Sequence, residues 1–210
     1  MNMDMIEYGD REAPIVLVQP IGEQDAGSIE NEIAMIREGT DRAFHMLAFR
    51  VRDWNRDLSP WPAPAVFGRE GFAGNAPDTL SEILRTCTDR EKTWYIGGYS
   101  LAGLFALWAA YRTDLFRGVA AASPSLWYPG IVEYMKAHDI GSEQVYLSLG
   151  DREEKTRNPV MATVGERIGE AYRLLRAQGI NSTFEWNEGN HFKDAEKRTA
   201  KAFLWLMNRK

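Results

Sequence analysis

The 210-residue sequence predicts an α/β fold in which a mostly parallel sheet carries helices on both faces. Short β-branched runs alternate with helical patterns along the chain, as expected for stacked βαβ units. The composition, 44% hydrophobic and 26% charged, is that of an ordinary globular protein. No internal repeat or linker interrupts the pattern, and the length suits one core. We therefore predict a single domain over residues 1–210.

The predicted strands are short runs rich in β-branched and aromatic residues, and the predicted helices lie between them. The strands cover residues 15–19, 44–51, 93–97, 117–122, 144–149 and 182–187. The helices cover residues 27–39, 77–88, 101–112, 130–137, 159–178 and 192–207. Asn158 and Pro159 mark the start of the fifth helix, because asparagine caps helices and proline suits their first turn.

One long irregular stretch, residues 52–75, is rich in proline, glycine and tryptophan. Loops of this length in a compact domain are usually functional or disordered, and tryptophans argue against disorder. We expect Trp54 and Trp61, together with Trp127, to form apolar walls of a ligand pocket. Packing in the core is the alternative for each of them. Little or no additional lid is expected.

Charge and cysteine content exclude several classes of partner and location. The net charge of −5 and the lack of a long basic run argue against nucleic acid and anionic membrane surfaces. The single cysteine, Cys87, excludes an intrachain disulfide, and no apolar stretch is long enough to span a bilayer. The acidic N-terminal residues lack the apolar core of a signal peptide, so a cytoplasmic location is expected.

Residues 93–108 combine a strand pattern, a serine between small residues and an apolar helical stretch. A serine hydroxyl is a weak nucleophile, and a sharp strand-to-helix turn lifts it to where a base can reach it. The usual pattern is G-x-S-x-G. Here Gly98 and Ser100 fit it, while Ala102 occupies the fifth position and Gly103 follows. The segment predicts a nucleophile at Ser100.

Three histidines are candidates for the base that such a serine needs. The site of a parallel α/β sheet lies at the carboxyl ends of its strands, and His191 directly follows the last predicted strand. His45 begins a strand and fits a packed position, while His138 ends a helix and fits a surface position near the helix dipole. His191 is therefore the predicted base.

A carboxylate should fix the tautomer of this histidine and stabilise its protonated form. The turn after the next-to-last strand offers Asp151, Glu153 and Glu154. Glu153 is favoured because it stands three residues after Gly150, where this type of fold places its acid. Asp151, shorter and closer to the strand end, stays open as the alternative. Glu154 is expected to lie in solvent.

A tetrahedral intermediate also requires backbone N–H donors directed at its oxyanion. One is expected from Leu101, directly after the nucleophile. The second should come from the loop after the first predicted strand, where Ile21 is the candidate and Gly22 the next. An ordinary turn is the alternative interpretation of this loop.

Two segments, residues 97–107 (GGYSLAGLFAL) and 122–128 (ASPSLWY), resemble a family of esterases in the α/β-hydrolase superfamily. This group includes esterase D-like enzymes and siderophore (enterochelin-type) esterases, and the likeness extends over most of the chain. The resemblance implies a single-domain α/β-hydrolase with Ser100 as nucleophile, His191 as base and an acid within 150–154. It also implies that residues 123–127 line the site opposite the serine. Residues 19–22 do not match the family's histidine- or glycine-rich oxyanion stretch.

The expected activity is hydrolysis of a carboxylic ester through an acyl-enzyme, with no metal and no organic cofactor. A small-molecule ester is the expected partner, and a homo-oligomer stays open. A thioesterase or acyltransferase would use the same residues. A hydrolase-fold binding protein without activity is the rival from another class, and Cys87 as a thiol nucleophile is a third option.

Overall fold

A computed structural model describes residues 3–23 and 27–209 of the chain. The strands are β1 (Met5–Gly9), β2 (Ile15–Ile21), β3 (Phe44–Arg50), β4 (Pro62–Ala63), β5 (Phe72–Ala73), β6 (Thr93–Tyr99), β7 (Phe116–Ala122), β8 (Gln144–Gly150) and β9 (Asn181–Asn187). Seven of them form one sheet in the order β1-β3-β2-β6-β7-β8-β9. β1 is antiparallel to β3, and all other neighbours in this sheet are parallel.

The helices pack on both faces of this sheet, as predicted. They are α1 (Ile29–Glu38), α2 (Trp54–Asp57), α3 (Ala76–Thr86), α4 (Leu101–Ala109), α5 (Ile131–Ala137), α6 (Val164–Ala177) and α7 (Ala195–Met207). α1 and α7 share one apolar core, and α3 to α6 share the other. Alternate residues of β2 enter the two cores, Val16 and Val18 on one side and Leu17 on the other. Burial on both faces explains the nearly continuous apolar runs of the central strands.

The six predicted parallel strands and the six predicted helices are all present, with shifted ends. The last helix begins at Ala195 rather than 192, because Asp194 adopts a left-handed conformation with φ 55°. The fifth begins at Val164, after a short 3-10 turn. Asn158 is therefore not the cap of this helix, whose N-cap is Thr163; its Oδ1 accepts the amides of Val160 and Met161 in the turn that precedes it.

The stretch 52–75 is ordered around aromatic contacts and contains α2 and the small β4–β5 hairpin. The indole of Trp61 donates to the carbonyl of Pro129 at 2.9 Å, and the Tyr128 hydroxyl donates to the Trp61 carbonyl. The rings of Phe72 and Tyr128 meet edge to face with centroids 5.1 Å apart. These contacts fix the stretch against the segment before α5.

Across residues 3–23 and 27–209, we find no helix with the length and apolar character needed to cross a membrane.

Candidate active site

Ser100 lies at the turn between β6 and α4 in a strained backbone conformation, with φ 59° and ψ −120°. Non-glycine residues rarely adopt such angles, and they cluster at functional sites. Small neighbours make the turn possible: a Cβ on Gly98 would lie 2.6 Å from the Cβ of Ala102. A Cβ on Gly103 would lie 2.9 Å from the Gly98 carbonyl oxygen. The turn therefore has the form of the predicted nucleophile elbow.

His191 follows β9 and reaches this serine. Its Nε2 lies 2.9 Å from Ser100 Oγ, and its Nδ1 lies 2.7 Å from Glu153 Oε2. The other two histidines are remote from the site. His45 in β3 is buried, with Nε2 3.0 Å from Glu7. His138 is exposed, and its Nδ1 donates to the carbonyl oxygen of Tyr134 in its own helix at 2.8 Å. The structure thus brings together the serine and the histidine that the sequence selects.

The turn after β8 distinguishes between the competing acids. Glu153 is the residue that reaches the imidazole, and its side chain is 4% exposed. Asp151 instead accepts the amide of Gly189 at 2.8 Å, so its carboxylate holds the two turns together. Glu154 is exposed, as predicted. Of the two acids left open by the sequence, the geometry favours Glu153.

The second carboxylate oxygen of Glu153, Oε1, accepts three further hydrogen bonds. The donors are the Ser123 hydroxyl and the Gly150 amide, both at 2.7 Å, and the Arg198 guanidinium at 2.8 Å. Burial by itself raises the pKa of Glu153. The hydrogen bond and charge of the His191 imidazole, together with the hydrogen bonds from Ser123 and Gly150, lower the pKa by more than burial raises it. The net pKa lies below the ordinary value, so Glu153 is held as a carboxylate.

Arg198 was not predicted, although it is the most connected side chain of the site. It is 2% exposed, and its Nη2 donates to the carbonyls of Glu188 and Asn190 at 3.1 Å each. These residues flank the turn that precedes His191, so one guanidinium joins that turn to Glu153. A signal was available in the sequence, because Arg198 lies four and five residues before the apolar Ala202 and Phe203 on the buried side of α7.

Tyr99, the last residue of β6, supports the histidine from a third strand end. Its hydroxyl donates to the His191 carbonyl at 2.7 Å and accepts from Arg198 at 3.1 Å. Burial raises the pKa of Tyr99 to about 12, so the hydroxyl keeps its proton at neutral pH.

The candidate oxyanion donors Leu101 and Ile21 lie directly after the β6–α4 turn and at the end of β2. Leu101 is the first residue of α4, where backbone N–H groups have no partner within the helix. Ile21 is the buried last residue of β2, its carbonyl accepting the Val51 amide at 2.9 Å, and Gly22 follows it. Ser125, in the segment opposite the serine, has its Oγ 3.3 Å from Ser100 Oγ. Leu101, Ile21 and Gly22 remain the candidates.

A cavity of about 330 Å³ opens beside Ser100 and His191. Trp54 is among the residues that line it. The prediction differs from the structure for Trp61 and Trp127, which are not among the lining residues. Both belong to the aromatic cluster around Tyr128, with ring centroids 5.9 and 6.4 Å from it. The two tryptophans stabilise the packing of the 52–75 stretch.

Cys87 is the C-cap residue of α3 and is not among the residues that line this cavity. It is 4% exposed, and burial raises the pKa of its thiol to about 12. A thiolate nucleophile is therefore disfavoured there. Among residues 3–23 and 27–209, no three histidine, cysteine or carboxylate side chains are grouped as metal ligands.

Comparison with known proteins identifies the fold through structure alone, since no family model and no curated protein matches the sequence. An IroE-like serine hydrolase from Shewanella oneidensis superposes with a TM-score of 0.78 at 14% identity, over 97% of this chain and 75% of that one. The siderophore hydrolase EstA from Aspergillus nidulans superposes with a TM-score of 0.70 at 17% identity, over 99% of this chain and 94% of that one. The enterobactin esterase FES from Shigella flexneri gives 0.65 at 16% identity, over 99% of this chain and 60% of that one. The chain therefore has the α/β-hydrolase fold.

Proposed function

We propose that this protein is a serine hydrolase that cleaves a carboxylic ester through an acyl-enzyme intermediate. The observation that carries the proposal is the continuous hydrogen-bond chain from Ser100 Oγ through the His191 imidazole to Glu153. Both distances lie within the range expected of a nucleophile, its base and the group that orients the base. Structural neighbours named as esterases and serine hydrolases support the same reaction class.

In the first half of the reaction, Ser100 Oγ attacks the ester carbonyl carbon and its proton passes to Nε2 of His191. Glu153, ionised because of its lowered pKa, stabilises the resulting imidazolium through Nδ1. The tetrahedral intermediate carries its negative charge on the former carbonyl oxygen. When it collapses, the alcohol leaves with the proton from Nε2, and the acyl group stays on Ser100.

In the second half, His191 takes a proton from water, which attacks the acyl-serine carbonyl. Collapse of the second tetrahedral intermediate releases the carboxylic acid and returns the proton to Ser100 Oγ. We assign the oxyanion hole to the amide of Leu101 and to a second donor at Ile21 or Gly22. Removal of one such donor costs about a hundredfold or more in kcat in well-studied hydrolases.

Labelling with a fluorophosphonate, followed by mass spectrometry of the adduct, tests this proposal. We expect one adduct on Ser100 in the wild type, none in Ser100→Ala, and strongly slowed labelling in His191→Ala. Ser81→Ala and His138→Ala, two exposed residues outside the site, are the matched controls and should label as the wild type does. A folded wild-type protein that is neither labelled nor active on any ester would instead support a binding role.

Hydrolysis of oxygen and sulfur esters with the same acyl group tests the leaving group. Preference for the oxygen ester supports the esterase assignment, whereas strong preference for the sulfur ester would reassign the protein as a thioesterase on the same residues.

A further inference from the structure

Acidic side chains line the cavity beside Ser100. Among the described residues that line it, Glu32 and Glu196 carry carboxylates, and none is a lysine or an arginine. Glu32 is 3% exposed, and Glu196 is half-buried. A carboxylate in a partly desolvated cleft, here that of Glu196, creates a negative potential beside the nucleophile.

Glu196 is an exception among the acids of its region. Glu185 and Glu188 each form an ion pair with a lysine, Lys201 and Lys193 respectively. The carboxylate of Glu196 has no ion pair or hydrogen bond with the described residues. It belongs to the first turn of α7, where a helix favours negative charge. The helix explains why a carboxylate is tolerated there but not why it lines the cavity.

A second and independent observation comes from Gln19 in β2, which lines the same cavity. The side chain is 6% exposed, and its Nε2 donates to Glu32 at 3.3 Å. Its Oε1 is buried and has no hydrogen-bond partner within residues 3–23 and 27–209. Buried acceptors are almost always satisfied, so this oxygen calls for a donor that a ligand would bring.

Aromatic groups complete the lining. Trp54 borders the cavity from one side, and Phe192, the residue after His191, borders it while remaining 90% exposed. The faces of aromatic rings attract ammonium groups. A carboxylate, an amide oxygen and aromatic side chains together form the chemistry of an ammonium-binding pocket, and they disfavour an anionic substrate.

From these observations we infer that the cavity binds the cationic end of an ester whose acyl or alcohol part carries an ammonium group. Glu196 selects the positive charge, and Gln19 accepts a hydrogen bond from a protonated amine. This inference rests on the proposed function, because Ser100 must be the nucleophile for the cavity to be its substrate pocket.

Ester pairs that differ only in charge test it. For the acyl side, the pair is the p-nitrophenyl ester of ε-aminohexanoate and that of heptanoate, in which a methyl group replaces the ammonium. For the alcohol side, the pair is 6-aminohexyl acetate and heptyl acetate, in which a methyl group again replaces the ammonium. We expect kcat/KM to favour the cationic member of at least one pair by about tenfold, and the preference to shrink at high salt.

Charge-neutral substitutions then locate the source of the preference. In Glu196→Gln, the ratio of kcat/KM between the cationic and neutral esters should fall about fivefold, the effect of one partly screened charge pair. The control is Glu30→Gln, which removes the same charge from an exposed position of α1 outside the cavity. It should leave the ratio unchanged. If Glu196 only stabilises the helix, Glu196→Gln would alter the thermal stability and leave the ratio of kcat/KM between the cationic and neutral esters unchanged.

The outcomes separate this inference from the function on which it rests. Hydrolysis of the neutral members with no preference for the cationic ones overturns the ammonium pocket and leaves the esterase standing. A preference for anionic esters overturns it as well. If Ser100 takes no fluorophosphonate and no ester is cleaved, the proposed function fails and the inference falls with it.

Discussion

A single buried cation holds the candidate site together. The guanidinium of Arg198 bonds to Glu153 after β8, to the Tyr99 hydroxyl at the end of β6, and to the carbonyls of Glu188 and Asn190 after β9. A buried charge is costly unless it is paired and fully hydrogen-bonded. Arg198 meets that condition and so acts as a positioning residue for the acid and for the turn that carries the histidine.

Replacement of this cation, Arg198→Met, should lower the free energy of unfolding by about 3 kcal/mol, because it leaves the Glu153 carboxylate buried without its cation. It should also lower kcat more than it raises KM, since the imidazole loses its fixed position. Urea unfolding and steady-state kinetics measure the two effects. Arg176→Met, at an exposed position in the last turn of α6, is the control and should change neither.

The double variant Glu153→Gln with Arg198→Met tests whether the two charges stabilise the protein as a pair. Its loss of stability should be smaller than the sum of the two single losses, because neither charge remains buried alone. Additive losses would contradict the pairing, and so would an Arg198→Met protein as stable and active as the wild type.

At the scale of elements, the turn from β6 to α4 depends on small side chains facing each other. Gly98→Ala would place a methyl group 2.6 Å from the Cβ of Ala102. We expect a loss of about 2 kcal/mol in the free energy of unfolding, typical of overpacking, together with reduced kcat. Adding Ala102→Gly removes the facing methyl and restores the usual G-x-S-x-G pattern at position 102. Thermal unfolding and ester hydrolysis should both recover in part, and no recovery would contradict the contact.

Elements with strong local patterns could be predicted from the sequence, and so could the residues that directly follow them. Ser100, His191 and Glu153 each come after a parallel strand, whose carboxyl end locates them. β1 was missed because it is a five-residue antiparallel edge strand in which Glu7 interrupts the apolar residues. Arg198 was missed because a charged residue within a helix usually lies in solvent.

Trp54 and Trp61 could not be told apart from the sequence, because only tertiary packing decides which lines the cavity. Trp54→Ala should change KM for ester substrates several-fold with little loss of stability. Trp61→Ala should destabilise the protein by about 3 kcal/mol through lost aromatic packing and leave KM near the wild-type value. Thermal unfolding and KM are measured on both variants. Trp54→Ala should change mainly KM, and Trp61→Ala should change mainly the stability. A change in KM for Trp61→Ala alone would return that residue to the pocket.

For the whole molecule, the site exists only when the sheet is assembled. The serine, the acid and the histidine follow β6, β8 and β9, which lie apart in the sequence and are brought to one edge by parallel pairing. The charge state of the site therefore contributes to the stability of the entire domain, and acid should weaken both together.

The pKa of Glu153 provides the test. Folding lowers this pKa below its ordinary value of 4.5, so the carboxylate contributes stability that is fully present above that pH. The contribution is lost as the pH falls through the lower folded-state pKa, because the unfolded chain binds the proton first. Urea unfolding from about pH 6 to about pH 3 should thus show a steeper decline for the wild type than for the Glu153→Gln, Arg198→Met double variant. Glu30→Gln removes an exposed acid of α1 outside the site and should follow the wild-type curve. Equal slopes for the wild type and the double variant would mean that Glu153 is not held ionised by the fold.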